Sequence, residues 1–511
     1  MLQNGQSTAT QARAVGAGEW ALLTLVSLVG AVMRMAGLAG VPPGLWYDEA
    51  RLLFQCAAVL EEGRWSWLFF DAEPLQALFA LPSCALIGIS AEGLRMGAAV
   101  AGALTVPALW WFARPLWGRR VALGAALMLA VLPWHVILSR VGFRASTLSL
   151  CFVLTAGAFH RAVAGRGPGW WAAAGAAGGA GMCSYLPFPL TVGVLALYYW
   201  TRRRLGIVAN WRGAWIGVAL LATGCIPLVL ASAERRNAVH ERIASEHNLS
   251  LDKIWTSEGP FANAAKLAAA FVWRGDPNPR HGVPGGALLP RWLFVFMLIG
   301  LWRALQRPLR PRNTMTLAAL GLFLLPSVFS GHAPHALRAI GATVPAALLV
   351  AGGAASAWAW ARRRMAVMRG QTATRAAVAL WSVALMATGI HQCFGVHARS
   401  LDVWREYQGV ATLAAREVNN LPPNATVLME PIEFGAMSFR FLTRGRANRI
   451  LEVRSPDDFT RLAPASGPLY MLFVGRDRFG AEFLQAYPAA VRERILTAPD
   501  GTPVGVLFRV R

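Results

Sequence analysis

The sequence predicts a helical membrane protein with many spanning segments, followed by a small soluble domain. Hydrophobic residues make up 55% of the 511 residues, which is too apolar for a water-facing surface of ordinary composition. Apolar runs of about 15 to 22 residues recur from Trp20 to Phe394, and runs of this length cross a hydrocarbon core only as helices. After His397 charged residues become frequent and the apolar stretches shorten to strand length.

The distribution of arginine predicts how the chain is threaded. The formal net charge is +23, Lys253 and Lys266 are the only lysines, and the arginines cluster between apolar runs. Cytoplasmic loops carry an excess of basic residues, so we interpret the clusters as topological rather than as a nucleic-acid surface. This rule predicts about eleven spanning helices within residues 20–395, with residues 1–19 in the cytoplasm. The clusters contain Arg114, Arg119, Arg120, Arg161, Arg166, Arg202, Arg203, Arg204, Arg212, Arg303, Arg307, Arg310, Arg312, Arg362, Arg363, Arg364, Arg369 and Arg375.

The same threading places two long loops, residues 41–92 and 231–290, on the outer side of the membrane. The run from Pro74 to Ser90 is apolar enough to span, but a span there would move the next arginine cluster outside. We therefore predict that it lies at the interface or re-enters the membrane. The soluble domain, residues 396–511, then lies on the outer, periplasmic side of an inner membrane.

Alternating strand-like and helix-like patterns predict an α/β fold for this soluble domain. Apolar stretches of strand length alternate with two helical patterns, as in α/β modules. The predicted strands are Ala425 to Met429, Arg449 to Val453, Leu469 to Val474 and Val504 to Val510, and the predicted helices are Trp404 to Val418 and Ser455 to Leu462.

Two adjacent carboxylates, Asp48 and Glu49, follow the first spanning segment. Charges so close to lipid are expensive and are candidates for function. Two interpretations of Asp48 remain open, a catalytic role and an N-cap of the helix that follows. Glu49 could bind a metal, hold Asp48 in place, or favour the positive end of that helix. Glu73, before Pro74, is either a substrate or metal ligand or part of a solvated loop.

Positive charge also appears on the outer side, where the loop-charge rule predicts little. His135, Arg140 and Arg144 lie at the outer end of the third predicted span, and His335 and Arg338 lie at the start of the tenth. Arginine presents a fork of donors that matches phosphate oxygens. These residues therefore predict a site for an anionic lipid headgroup, with interface anchoring as the alternative for Arg144.

The second outer loop contains a dense polar string, Trp273 to His281. Turn formers and hydrogen-bonding side chains predict an ordered loop, long enough to cover a pocket. Its candidate substrate-binding residues are Arg274, Asp276, Arg280 and His281.

Taken together, these strings resemble the GT-C superfamily glycosyltransferases of bacteria, of the protein-mannosyltransferase and aminoarabinose-transferase type. The resemblance covers residues 20–353. It is carried by WYDEA at 46–50, AEPLQALFAL at 72–81, LPWHVILSRVGFR at 132–144, WRGDPNPRHGVPG at 273–285 and APHALRAIGA at 333–342. Family members often have arginine before the Glu-Pro pair, where this chain has Ala72. The soluble tail resembles no family that we assign.

The resemblance implies transfer of a sugar from a polyprenyl-phosphate carrier to an acceptor that is a glycan, a lipid or a protein. Asp48 maps onto the family's catalytic base and Glu49 onto the second acid of the pair. No cofactor is required, and a divalent cation held by Glu49 or Glu73 is compatible with this chemistry. Two rival functions are a transporter or flippase of lipid-linked sugars, and a lipid-linked oligosaccharide transferase or ligase.

Overall fold

The computed structural model describes residues 15–66, 74–207, 211–234, 259–368, 370–430, 436–462, 467–475 and 478–511. Helices dominate from the amino-terminal end to residue 420, and a sheet follows in the carboxyl-terminal domain. The helices before the soluble domain are α1 (Ala17–Met35), α2 (Tyr47–Leu60), α3 (Leu75–Ile87), α4 (Ala91–Trp117), α5 (Arg119–Val131), α6 (Pro133–Ser139), α7 (Ser146–Val163), α8 (Gly169–Met182), α9 (Leu190–Arg204), α10 (Ala214–Gly224), α11 (Ile226–Glu234), α12 (Gly259–Ala270), α13 (Arg291–Leu305), α14 (Pro311–Val328), α15 (Thr343–Arg364) and α16 (Gln371–Ile390).

The length and hydropathy of these helices make the chain a multi-pass membrane protein. Within the described residues, six helical segments are long and apolar enough to cross a membrane: Ala17–Met35, Ala91–Trp117, Ser146–Val163, Ala214–Ala231, Ile340–Arg364 and Gln371–Arg399. The bent pair α5 and α6 would make a seventh. Eleven spans therefore stay a prediction, because helices such as α8 and α9, with 14 and 15 residues, are shorter than the roughly 17 to 25 residues of a usual transmembrane helix.

Helix α3 occupies the apolar segment that we predicted not to span. It has 13 residues, which corresponds to a length of about 20 Å, whereas the hydrocarbon core is about 30 Å thick. It packs closely on α4, where a side chain at Gly97 would collide with the backbone of Phe79. The structure thus agrees with a short helix that lies against the bundle.

A sharp bend separates α5 from α6 and is stabilised by a buried arginine. The two helices meet at an angle of 55° at Pro133, which cannot donate a backbone hydrogen bond. The guanidinium of Arg34, fully buried, donates to the carbonyls of Leu129 and Ala130 at 2.9 Å each. Arg34 therefore supplies partners to carbonyls near the break, where unpaired polar groups would be costly.

The carboxyl-terminal domain is a five-stranded sheet with helices on both faces. Its helices are α17 (Leu401–Glu406), α18 (Gly409–Asn420), α19 (Met437–Leu442), α20 (Asp458–Arg461) and α21 (Gly480–Ala486), and its strands are β1 (Thr426–Met429), β2 (Ile450–Glu452), β3 (Leu469–Val474), β4 (Val491–Thr497) and β5 (Pro503–Arg509). The strand order is β2-β1-β3-β5-β4, with β1 parallel to β2 and β3 and with β5 antiparallel to β3 and β4. The four predicted strands are present, and β4 was not predicted.

This domain packs directly on the start of the loop that we predicted to be the first outer one, residues 41–92. The backbone N–H of Leu45 donates to Thr412 Oγ1 at 3.1 Å, and a side chain at Gly44 would collide with the carbonyl of Tyr407. The rings of Phe54 on α2 and Phe441 on α19 meet edge to face at 5.2 Å. The carboxyl-terminal domain therefore contacts both ends of the segment that carries Asp48.

Candidate active site

Helix α2 begins at the pair of carboxylates that the sequence singled out. Trp46 is its N-cap residue, and Glu49 Oε2 accepts a hydrogen bond from the Trp46 backbone N–H at 3.2 Å. The helix-capping role that we left open for Asp48 is thus performed by Glu49, three residues after the cap. Asp48 is half-buried in the first turn, and its carboxylate accepts a hydrogen bond from the indole of Trp46 instead.

Glu49 forms a fully buried ion pair with Arg95 of α4. Both side chains have 0% exposure, and Arg95 donates through Nε and Nη2 to the two carboxylate oxygens at 2.8 Å each. The backbone N–H of Gly142 donates to the same carboxylate at 3.0 Å. Glu49 is therefore saturated with donors, so these contacts do not agree with Glu49 as a metal ligand and favour the interpretation that it holds Asp48 in place.

Arg95 also fastens the loop that leads to α2. Its terminal nitrogens donate to the carbonyls of Leu38, Pro42 and Gly44 at 3.2, 2.9 and 2.6 Å. A guanidinium with a carboxylate and three carbonyls as partners fixes both ends of the loop against the bundle. Sequence reasoning missed this residue, although an arginine inside an apolar run was a signal that could have found it.

The indole of Trp46 brings Asp48 and Arg280 to one place. Trp46 Nε1 donates to Asp48 Oδ2 at 3.3 Å, and the guanidinium carbon of Arg280 lies over the ring, 3.7 Å from its centre. Arg280 also pairs with Glu406 of the soluble domain at 3.4 Å. A carboxylate from the first outer loop and a guanidinium from the second thus share one aromatic side chain.

A second polar cluster lies in the same outer loop and joins it to the start of the tenth predicted span. His281 Nδ1 and Asp276 Oδ2 are 2.8 Å apart, the rings of His281 and His335 stack at 4.8 Å, and Ala336 N–H donates to Asp276 at 2.7 Å. One potential ligand atom from each of Asp276, His281 and His335 lies within 4.8 Å of the others. Two imidazoles and a carboxylate are a donor set that suits zinc.

Burial shapes the charge of this cluster. Burial, together with the neighbouring His281 and Arg338, holds the pKa of His335 well below its ordinary value, so its imidazole is neutral at about pH 7. Burial is the largest influence on the Asp276 carboxyl and opposes its ionisation, but the hydrogen bonds from His281 and from the Asn278 backbone N–H, together with the neighbouring histidines, outweigh burial and lower its pKa. The cluster therefore combines an ionised carboxylate with a neutral imidazole, the forms that bind metals.

The remaining predicted residues fall in different surroundings. Arg338 donates to Ser330 Oγ at 2.8 Å beside the cluster. Arg144 is half-buried in the turn between α6 and α7, and Arg274 is exposed in the second predicted outer loop. Glu73 lies outside the described residues.

Arg140 and His135 are buried in contacts within the protein. The terminal nitrogens of Arg140 donate to the carbonyls of Met33, Arg34, Ala36 and Val41 at 2.7 to 3.2 Å. His135 has 0% exposure, and its Nδ1 lies 2.8 Å from Arg34. Both residues differ from the expectation of a phosphate site. Arg140 binds carbonyls at and after the end of α1, and His135 contacts Arg34, which itself binds the carbonyls before α6.

Comparison with solved structures shows which known proteins share this architecture. ArnT from Cupriavidus metallidurans, bound to undecaprenyl phosphate, superimposes with a TM-score of 0.59 at 17% sequence identity, covering 97% of this chain and 99% of that one. The apo form of the same protein gives the same score and identity. The chain has the GT-C fold. The predicted fold is thereby confirmed.

Two further comparisons agree with the GT-C fold. A model of the dolichyl-phosphate-mannose-protein mannosyltransferase family matches residues 71–230. The Archaeoglobus fulgidus oligosaccharyltransferase, in complex with Zn and sulfate, superimposes with a TM-score of 0.50 at 13% identity, covering 94% of this chain and 72% of that one. A search of characterised proteins by sequence gives no significant match.

Proposed function

We propose that the chain transfers a sugar, a hexose or a pentose, from a polyprenyl-phosphate carrier to an acceptor at the periplasmic face of a bacterial inner membrane. The observation that carries this proposal is the shared contact of Asp48 and Arg280 with Trp46. This contact places a proton acceptor, Asp48, near a cation that can bind a phosphate, Arg280. The solved protein of similar fold is bound to undecaprenyl phosphate, which supports a carrier of this class.

Asp48 is the proposed general base. It is half-buried, and its one described hydrogen bond, from Trp46, orients the carboxylate and leaves acceptor lone pairs on both oxygens. The carboxylate takes the proton of an acceptor hydroxyl as that oxygen bonds to the anomeric carbon. The bond from the anomeric carbon to the phosphate oxygen breaks at the same time, and the electron pair leaves with the phosphate.

Arg280 is the proposed partner of the departing phosphate. It is held in position by the Trp46 ring and by Glu406, and a preorganised cation is most effective where negative charge develops. We also assign Arg144 and Arg338 to the carrier headgroup, because both follow segments that we predicted to lie on the outer side. Arg140 acts as a positioning residue, because its donors already hold the end of α1 and the following loop.

The structure offers a different set of ligands for a divalent cation from the Glu49 or Glu73 that the sequence suggested. The cation would be held by Asp276, His281 and His335. The fit rests on the neutral imidazole of His335, the ionised Asp276 and the close approach of the three ligand atoms. When bound, a cation of the zinc type would order the loop and add positive charge near the leaving phosphate. The archaeal protein of similar fold was solved with Zn, which is compatible with this assignment.

A transfer assay tests the proposed function. Purified protein is incubated with polyprenyl-phosphate-linked sugars and with acceptor fractions prepared from the cell envelope. The masses of the products are then measured by mass spectrometry. The proposal expects an acceptor that gains the mass of one sugar. Movement of the intact donor between leaflets without a product would instead establish a flippase, and gain of a whole glycan would establish an oligosaccharide transferase.

A further inference from the structure

Two buried cysteines meet where α2 packs on α3. Cys56 of α2 and Cys84 of α3 have 0% and 1% exposure and belong to one apolar cluster that these helices share with α4. Both side chains are thiols in the structure, and they are hydrogen-bonded to each other. Two cysteines that meet sulfur to sulfur can form a disulfide with small rotations of their side chains.

Small side chains let the two helices approach at this point. Ala77 and Ala80 precede Cys84 by seven and four residues, spacings that place all three on one face of α3. Both alanines have 0% exposure and lie in the same cluster as the cysteines. A disulfide requires Cα atoms about 4.4 to 6.8 Å apart, and a helix face of methyl groups permits so close an approach.

Helix α4 holds Cys84 in this position from another side. A side chain added at Gly93 would lie 3.2 Å from Cys84 Cα and 3.4 Å from its sulfur, so the backbone of α4 runs close against the cysteine. Ser83 Oγ, one residue earlier, donates to the Gly93 carbonyl at 2.6 Å. The position of Cys84 relative to α2 is therefore fixed by packing and by a hydrogen bond.

The other cysteine lies on the same face of α2 as the buried ion pair. Cys56 follows Glu49 by seven residues, two turns of the helix, and both are fully buried. The rise of a helix separates them by about 10 Å along the axis. Arg95 holds the first turn of α2 through Glu49, and a covalent bond at Cys56 would hold the second half of the helix whose first turn carries Asp48.

We propose that Cys56 and Cys84 are oxidised to a disulfide that joins α2 to α3. The inference rests on the proposed function for its location, because the periplasm is a compartment in which disulfides form and persist. The bond closes a loop between cysteines 28 positions apart, which constrains the unfolded chain and stabilises the folded one.

The oxidant is a periplasmic dithiol–disulfide oxidoreductase in its disulfide form. The thiolate of one cysteine attacks that disulfide, forms a mixed disulfide and releases one thiol of the oxidant. The second cysteine attacks the sulfur of the first and releases the other thiol. Two protein thiols thus become one disulfide, and the oxidant's disulfide becomes two thiols. Because both cysteines are buried in the folded chain, the exchange takes place before α3 packs on α2.

Peptide mapping tests the bond without turnover. Full-length protein is extracted from acid-quenched cells, its free thiols are blocked with N-ethylmaleimide under denaturing conditions, and it is digested with trypsin. Trypsin separates the two cysteines, since arginine ends both residues 52–64, which contain Cys56, and residues 65–95, which contain Cys84. We expect these peptides as one linked species, lighter than their sum by two hydrogen atoms and separated by a reductant.

A third cysteine is the control for the labelling. Cys393 is as deeply buried as the pair and should carry the blocking group with or without prior reduction. In Cys84→Ala the Cys56 thiol should be blocked without reductant, whereas Cys393→Ala should leave the linked peptides intact. Protein from cells grown with dithiothreitol should yield the two peptides separately.

The result is independent of the transfer assay. Linked peptides in a preparation that transfers no sugar would support the disulfide and count against the proposed function alone. Blocked thiols at both Cys56 and Cys84 in the wild type, without reductant, would overturn the disulfide and leave the assignment of Asp48 untouched.

Discussion

The guanidinium carbon of Arg280 lies 3.7 Å from the centre of the Trp46 ring. Trp46 and Arg280 come from the two predicted outer loops and are separated by more than two hundred residues in the sequence. The same indole donates to Asp48. This contact joins the carboxylate that we propose as a base to the cation that we propose for the leaving phosphate.

Removal of the cation beside Trp46 should impair the departure of phosphate. We expect Arg280→Gln to lower kcat about a hundredfold, since loss of one preorganised group at a developing charge has effects of this order. Initial rates at saturating donor and acceptor measure this change. The control is Arg405→Gln, which changes an exposed arginine of the carboxyl-terminal domain. Its kcat should stay within about twofold of the wild-type value. An Arg280→Gln enzyme as fast as the control would remove Arg280 from the mechanism.

The indole itself can be divided into its ring and its N–H group. Trp46→Phe keeps an aromatic face for Arg280 but removes the donor to Asp48, so we expect a loss of about tenfold in kcat. Trp46→Leu removes both interactions and should be slower still. Equal rates for the two variants would show that the cation–aromatic contact makes no contribution.

The buried pair of Glu49 and Arg95 should dominate the stability of the first outer loop. Arg95→Met leaves the Glu49 carboxylate without its ionic partner, and we expect the free energy of unfolding to fall by about 3 to 5 kcal/mol. Denaturant titration in mild detergent measures the free energy of unfolding. The surface control Arg416→Met should stay within about 0.5 kcal/mol of the wild-type value. The double variant Glu49→Met with Arg95→Met should lose less than the sum of the single changes. Strict additivity would contradict direct coupling.

Part of the fold followed from sequence and part did not. The strands β1, β2, β3 and β5 were predicted because each contains an apolar run. In the structure β1 and β3 are buried at every position, and β2 and β5 at some of theirs. Strand β4, whose sequence VRERILT is exposed at nearly every position, pairs only with β5 at the edge of the sheet. Charged residues on an edge strand discourage pairing with another chain. The same charges interrupt the apolar pattern by which the other strands were predicted.

The sequence indicated candidate site residues only where their position beside an apolar run marked them. Asp48 was singled out because it follows an apolar run of spanning length in the sequence, and its role as a base stays a prediction. The contacts of Arg140 and Arg95 were not predictable, because their partners are backbone carbonyls distant in sequence. Carbonyls give no sequence signal, so an arginine that caps them cannot be distinguished in advance from one that binds a phosphate.

Metal content separates a metal site from a hydrogen-bonded cluster. We expect protein purified without chelators to contain close to one equivalent of a zinc-type cation by plasma mass spectrometry, as a site with three protein ligands would hold. His281→Ala and His335→Ala should each lose it. His332→Ala, an exposed histidine nearby, should retain it. A wild-type protein free of metal would leave Asp276, His281 and His335 as a structural cluster.

The central claim concerns the carboxylate of Asp48. Single-turnover transfer from a polyprenyl-phosphate-linked sugar, compared between wild type and Asp48→Asn, tests it most directly. The substitution keeps the shape of the side chain and an oxygen that can accept from Trp46, so the thermal unfolding temperature should be unchanged. The account predicts that transfer falls by at least about a hundredfold, as loss of a general base does. Transfer by Asp48→Asn at half the wild-type rate or more would contradict it.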